Sequence, residues 1–150
     1  MNRVLAFDLA PKKDYIEYIN RGREERIGTM KVSDDYVRQC EKAKEIQGLW
    51  NPDVGDWIYS YGSRSIEKVF GEVTMRYTKV WLPVQEDLQA ILRYETPLVM
   101  LQAFNDWLYT DSGYGCVNGA RFHSMQELWL AFVMWERFSK VWDGKDWKVV

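Results

Sequence analysis

The chain has 150 residues with 20 basic and 22 acidic side chains, so its formal net charge is −2 at neutral pH. A chain of this length can bury the core of one domain without metals or disulfides. The acidic balance excludes a general electrostatic attraction to nucleic acid, although it leaves room for a local basic patch. No stretch reaches the roughly 20 apolar residues that a membrane helix needs.

Aromatic and cysteine content narrow the class of protein further. Aromatic residues make up 15% of the chain and include eight Trp, which predicts a core or an interface built on large rings. The two cysteines, Cys40 and Cys116, lie far apart and lack the CxxC spacing of a metal finger. With one histidine and no acidic cluster, we expect neither a metal site nor a cofactor. Two free thiols without a secretory leader predict a cytoplasmic protein.

The first 29 residues differ in character from the rest of the chain. Arg3 to Ala10 has the composition of a short strand, which Pro11 ends. The charged run from Arg21 to Arg26 is typical of a solvated loop. We therefore predict a single domain over residues 1–150, in which residues 1–29 form either an N-terminal extension or an edge strand of the sheet.

The next segment predicts a capped helix followed by two strand regions. Ser33 with two acidic residues behind it marks a helix start, and apolar residues then recur at three- and four-residue steps up to Trp50. Cys40 lies on that apolar stripe, so we expect it to be a buried thiol. Asp56 to Tyr61 has strand composition, and Ile66 to Val80 is a second strand region that a glycine interrupts. The two regions are expected to pair as an antiparallel meander.

Two helices are predicted after the strands. Val84 to Arg93 places its apolar residues on one face. Thr96 and Pro97 have the sequence of a helix cap with proline at the first helical position, so a second helix should run to Tyr109. The apolar face of this second helix is predicted to carry Leu98, Leu101, Phe104, Trp107 and Leu108.

The central element of the predicted fold is a long, aromatic-rich helix from Ser124 to Trp142. Ser124 and Glu127 form a capping box, which indicates that the helix starts there. Most of its apolar residues fall on one broad arc. Trp129 and Val133 fall instead among the polar residues, where burial of a single face does not require them. They are therefore expected on an exposed back of the helix.

The order of elements predicts the fold class. After the central helix, Asp143 and Gly144 indicate a tight turn, and Lys145 to Val150 indicates a last strand. Helix, strands, helices and strand follow each other without βαβ alternation. We therefore predict an α+β fold, in which three to four helices cover a small antiparallel β-sheet.

Several short segments from Met30 onward resemble known sequences. They are Glu41 to Gln47, Trp81 to Pro83 with Gln85, Leu88 and Gln89, Leu130 to Met134, and Val141 to Lys145. In these segments the chain resembles small uncharacterised proteins encoded by bacteriophages and prophages of Gram-positive bacteria, over about four-fifths of its length. The resemblance implies a phage accessory protein of unassigned role that works in the host cytoplasm. It implies no particular functional residues.

One candidate for chemistry is the loop between Asp111 and Ser124. Cys116 and His123 are seven residues apart in it, and a thiolate–imidazole pair is a nucleophile with its base. The glycines of this loop precede a helix, where backbone N–H groups can hold an anion. The loop lacks the Gly-Lys-Ser/Thr sequence of a phosphate-binding loop, and its glycines equally suit tight turns. A small-ligand or enzymatic pocket here is thus an alternative to a binding function.

The aromatic residues are the richest feature of the sequence. A large aromatic core explains most of them, but Trp and Tyr also dominate the residues that contribute most to protein interfaces. We take Trp57, Tyr59, Trp129 and Val133 as the candidate surface for a partner protein or for self-association. The leading hypothesis is a non-enzymatic accessory protein that binds another protein, for instance to inhibit a component of host defence.

Single-stranded nucleic acid is a further alternative partner. Exposed rings can stack on bases when basic residues lie around them. The cations that the strand regions supply are Arg64, Lys68, Arg76 and Lys79. The overall acidity of the chain disfavours this function, and no membrane partner is expected.

Overall fold

The structure is a computed structural model that describes residues 30–150, of which Val32–Val150 form one compact unit. The predicted strand at residues 3–10 and the charged run at residues 21–26 lie outside the described residues. In chain order the helices are α1 (Asp34–Lys42), α2 (Lys44–Leu49), α3 (Gln85–Leu92), α4 (Pro97–Tyr109) and α5 (Met125–Phe138). The strands are β1 (Trp57–Ser60), β2 (Ser65–Lys68), β3 (Lys79–Trp81), β4 (Lys140–Trp142) and β5 (Trp147–Val149).

The fold class is α+β, as predicted. Residues 30–150 contain an antiparallel three-stranded sheet in the order β2-β1-β3 and an antiparallel β4–β5 hairpin. In the larger sheet, Tyr59 of the central strand lies opposite Ile66 on one side and Val80 on the other. None of the helices in this part of the chain is long and apolar enough to cross a membrane.

The first predicted helix forms, but it is divided at Ala43. The Ser33 side chain caps α1 by accepting a hydrogen bond from the backbone N–H of Tyr36 at 3.0 Å. At the division, the Cys40 carbonyl accepts from the backbone N–H of Ala43 at 3.2 Å and from the Gln47 side-chain amide at 3.1 Å. The same side chain pairs with both backbone groups of Trp81, at 2.9 and 3.0 Å. Gln47 thereby replaces a neighbouring strand at the outer edge of β3.

The predicted second strand region, Ile66 to Val80, forms strands only at its two ends, as β2 and β3. Because β1 lies between β2 and β3, the chain must travel from one edge of the sheet to the other after Lys68. That crossover leaves residues 70–75 without a strand partner, and a single 3₁₀ turn, Arg76–Thr78, then leads into β3. Met75 before the turn has a left-handed backbone with φ of 51°, which is unusual for a side chain of its size.

The central helix is shorter than predicted. It ends at Phe138 because Ser139 adopts a left-handed conformation, with φ of 51°. Lys140–Trp142 then pairs with Trp147–Val149 in a hairpin, so these residues are β4 and not the last turn of the helix. The predicted turn at Asp143 and Gly144 is confirmed, with Gly144 at a φ of 99°.

Helix α5 is surrounded by the other elements, which corrects the expected exposure of Trp129 and Val133. The helix packs against α3, α1 and β4. On the side of α4, the ring of Phe104 stacks on Trp129 with centroids 4.0 Å apart, and Phe132 contacts both rings edge-on. Trp129 is 1% exposed and Val133 is fully buried. Both residues therefore belong to the core and not to an exposed back of the helix.

Candidate functional site

A basic groove lies between the α1–α2 pair and the edge strand β3. It has a volume of about 590 Å³, which falls within the ~300–1,000 Å³ that is usual for small-molecule sites. Helices α1 and α2 supply one wall, and the turn before β3 supplies the other. The groove is lined by Glu41, Lys44, Gln47, Trp50, Tyr61, Arg76, Tyr77, Lys79 and Val80.

Aromatic rings form much of the groove. Trp50 is buried, stacks on Trp81 with an interplanar angle of 8°, and donates from its indole nitrogen to Asp56 at 2.8 Å. These contacts fix the ring in place. Tyr77, by contrast, is 82% exposed on the short turn before β3. The groove thus combines a rigid indole wall with a tyrosine ring that is free to contact a ligand.

Positive charge exceeds negative charge in the basic groove. Its lining includes three cations, Lys44, Arg76 and Lys79, and a single carboxylate, Glu41. No ion pair within residues 30–150 involves any of these three cations. The Arg76 guanidinium lies 5.9 Å from the centre of the Trp50 ring, and the Lys79 ammonium donates to the Ser60 hydroxyl at 3.2 Å. Arg76 is therefore held beside a ring, and none of the three cations forms an ion pair with a carboxylate of residues 30–150.

Tyr61 remains neutral at the edge of the groove. Burial and the neighbouring carboxylate of Glu41 both raise the pKa of the Tyr61 phenol above its usual value. The phenol therefore adds no negative charge at physiological pH. The groove keeps its net positive character in a chain whose formal net charge is −2.

Sequence reasoning found only part of this groove. Of the four cations taken as candidates for nucleic-acid binding, Arg76 and Lys79 line it together. Lys68 lies over the Trp57 ring instead, with its ammonium 5.2 Å from the ring centre, and Arg64 is exposed between β1 and β2. Lys44 was missed, because it comes from a helix 32 or more residues before the other two. No local pattern brings such residues together.

The structure places Trp57 and Tyr59 on the partly exposed face of β1. Both are half-buried, whereas their neighbours Ile58 and Ser60 face the core. The Tyr59 ring contacts Tyr61 edge-on at 5.5 Å. Trp57 and Tyr59 thus remain at the surface, but Trp129 and Val133 do not share it with them.

A second surface is the exposed side of α4, and it corrects the predicted apolar face of that helix. Phe104 and Trp107 are buried as predicted, but Leu98 is 66% exposed and Leu101 is also exposed. Four exposed residues follow each other at helical spacing along this side, and we call them the α4 stripe: Leu98, Gln102, Asn105 and Tyr109. The helix contains one charged residue, Asp106. On a typical surface helix, the side exposed to water carries charged and polar residues.

The loop from Asp111 to Ser124 is folded upon itself. Gly113 and Gly115 have φ of 75° and 81°, so the predicted role of these glycines in tight turns is confirmed. The backbone N–H of Ser112 donates to the Cys116 carbonyl at 2.9 Å. Cys116 and His123 are both exposed, and no hydrogen bond among residues 30–150 joins their side chains. The structure therefore gives the predicted thiolate–imidazole pair no support.

The two thiols are expected to react at different rates with Ellman's reagent. Cys40 is fully buried, and its burial raises the pKa of the thiol, whereas Cys116 is exposed. Native protein should lose one thiol quickly by Ellman titration, and urea should release the second. A Cys116→Ser variant should lose the fast phase. Fast reaction of both thiols in the native state would contradict the burial of Cys40.

The chain matches no protein-family model, no curated protein and no solved structure. Within residues 30–150, no three histidine, cysteine or carboxylate side chains gather closely enough to bind a metal ion. The two surfaces that stand out chemically are the basic groove and the α4 stripe.

Proposed function

We propose that this protein acts by binding other protein chains, and that the α4 stripe is its contact surface, with a second copy of the chain as the first occupant. The observation that carries the proposal is an exposed helix side with two large apolar residues, two amides and almost no charge. Interface centres are depleted in charged residues in the same way. The proposal includes the role of a phage accessory protein, for instance one that inhibits a component of host defence, and that role is supported by the sequence resemblance.

The order of residues in the α4 stripe favours a second copy as the occupant. The stripe is symmetric about the point between Ala103 and Phe104. In an antiparallel pair with its twofold axis at that point, Leu98 faces Tyr109 of the other copy, and Gln102 faces Asn105. Each amide has both donors and acceptors, so the central residues can hydrogen-bond to each other. In such an isologous contact both copies use the same surface, so the α4 stripe provides both sides of the interface.

The single charge of the helix opposes this pairing only weakly. Asp106 lies beside the stripe, 2.5 residues from the twofold axis. With a rise of about 1.5 Å per residue, the two Asp106 residues are then offset by about 7.5 Å along the helix axis. The opposite flank carries Leu101 and Leu108, which add apolar area to both copies.

Sedimentation equilibrium tests the proposal. Wild-type protein should fit a monomer–dimer equilibrium, and Leu98→Glu should shift it to monomer, because a charge buried in the contact must lose its water. Adding Tyr109→Arg to Leu98→Glu should restore dimers, since the proposed register places the two positions opposite each other. Phe70→Glu, which charges another exposed apolar residue outside the stripe, should leave the equilibrium unchanged. A monomeric wild type, or a dimer that only Phe70→Glu dissociates, would refute it.

A further inference from the structure

We propose that the basic groove is a second binding site, and that its ligand is a nucleoside phosphate, either free or as one unit of a single-stranded nucleic acid. This proposal concerns a different surface from the α4 stripe and does not depend on it. The phosphate would lie among Lys44, Arg76 and Lys79, and the base would stack on Tyr77.

The three cations of the groove are the groups that would bind the phosphate. Three positive groups line one groove from different elements, and no carboxylate within residues 30–150 pairs with them. An arginine fork can bind two phosphate oxygens at once, and two ammonium groups add point charges beside it. Arg76 is held near the Trp50 ring and is therefore partly ordered before a ligand arrives.

The exposed ring of Tyr77 is the group on which the base would stack. Tyr77 directly follows Arg76 and presents most of its surface to solvent. A tyrosine face stacks on any base, and a cation next to it binds the phosphate of the same nucleotide. The combination of unpaired cations with an exposed ring is the pattern that sequence-independent single-strand binders use.

The remaining polar groups favour a nucleotide over an acidic polypeptide. Gln47 is unavailable, because its amide already bonds the backbone of Cys40 and Trp81. Glu41 is therefore the acceptor that the groove offers in addition to the aromatic hydroxyls. A carboxylate there would repel successive acidic side chains, whereas the base edges of adenine, guanine and cytosine carry N–H donors.

Fluorescence anisotropy with a labelled oligodeoxyadenylate and tryptophan quenching by AMP test the two sources of this ligand. Tyr77→Ala should weaken binding by at least about fivefold, which is the lower end of the cost of removing one base stack. Arg76→Ala should weaken binding. It should also reduce the slope of log affinity against log salt concentration for the oligonucleotide by the contribution of about one phosphate contact. Lys145→Ala is the matched control, because it removes an exposed positive charge outside the groove. All three side chains are exposed, so the variants should keep the wild-type thermal midpoint.

Each outcome has a defined meaning. Binding of both probes through Tyr77 and Arg76 supports a general nucleotide site, binding of the oligonucleotide alone identifies a strand, and binding of AMP alone identifies a free nucleotide. No saturable binding of either probe at low salt would overturn the proposal. Equal losses in Arg76→Ala and Lys145→Ala would overturn it too, since they indicate non-specific attraction. Displacement of the oligonucleotide by polyglutamate at equal charge concentration would assign the groove to acidic polypeptides instead.

Discussion

Replacing Trp129 by Ala is expected to lower the free energy of unfolding by about 3–5 kcal/mol, as for other large aromatic residues removed from a core. Trp129 is among the largest fully buried side chains of residues 30–150. Its removal also abolishes the stack on Phe104 and the edge-on contact with Phe132. Helix α4 has few other buried residues, so its docking on α5 depends strongly on this contact.

Two further variants make the Trp129 measurement specific. Trp129→Phe should cost clearly less than Trp129→Ala, because a ring remains to stack on Phe104. The indole nitrogen of Trp129 has no hydrogen-bond partner among residues 30–150, so phenylalanine breaks no hydrogen bond there. Trp135→Ala on the same helix should also cost less, since Trp135 is 37% exposed. Urea denaturation followed by circular dichroism measures the free energy of unfolding of all three variants. A Trp129→Ala protein as stable as wild type would contradict the burial of Trp129 in the core.

Replacing Glu127 by Ala is expected to cost about 2–3 kcal/mol, because a buried carboxylate that accepts two hydrogen bonds is lost. Its two oxygens accept from the Ser33 hydroxyl at 2.6 Å and from the backbone N–H of His123 at 3.1 Å. The Ser33 hydroxyl in turn caps α1. Glu127 therefore joins the N-terminus of α5 to the N-terminus of α1.

The partners of Glu127 allow the two helix ends to be separated. Ser33→Ala removes the cap of α1 and one bond to Glu127, and should cost about 1 kcal/mol or more. Glu127→Gln keeps one oxygen for the His123 N–H and presents an amide to Ser33, so it should cost less than Glu127→Ala. In a double-mutant cycle, Ser33 and Glu127 should show a coupling energy of at least about 0.5 kcal/mol. Additive losses by urea denaturation would mean that the contact between them contributes nothing.

The sequence by itself determined the features that depend on neighbouring residues. Ser33, Thr96 and Ser124 each accept a hydrogen bond from a backbone N–H three residues later, so the residue type and its position are enough to predict the helix start. The turn at Asp143 and Gly144 is local in the same way. The α+β class followed from the order of such local elements.

Only the tertiary structure decided which of the predicted faces are covered. A helical wheel gives α5 one buried arc, but three other helices and a strand surround the helix, so Trp129 is buried as well. The same wheel gives α4 an apolar face, yet Leu98 has no element against it among residues 30–150 and stays exposed. Periodicity reports the side of a helix on which a residue lies, and it does not report how many elements pack around that helix.

The basic groove and the Glu127 contact also required the tertiary structure. Lys44 and Arg76 come from different elements, and Ser33 and Glu127 are 94 positions apart. The crossover from β2 to β3 likewise makes the middle of the predicted strand region Ile66 to Val80 a loop, because β1 lies between the two strands. Local interactions are fixed by residues within about four positions, whereas burial and long-range contacts depend on how the whole chain packs.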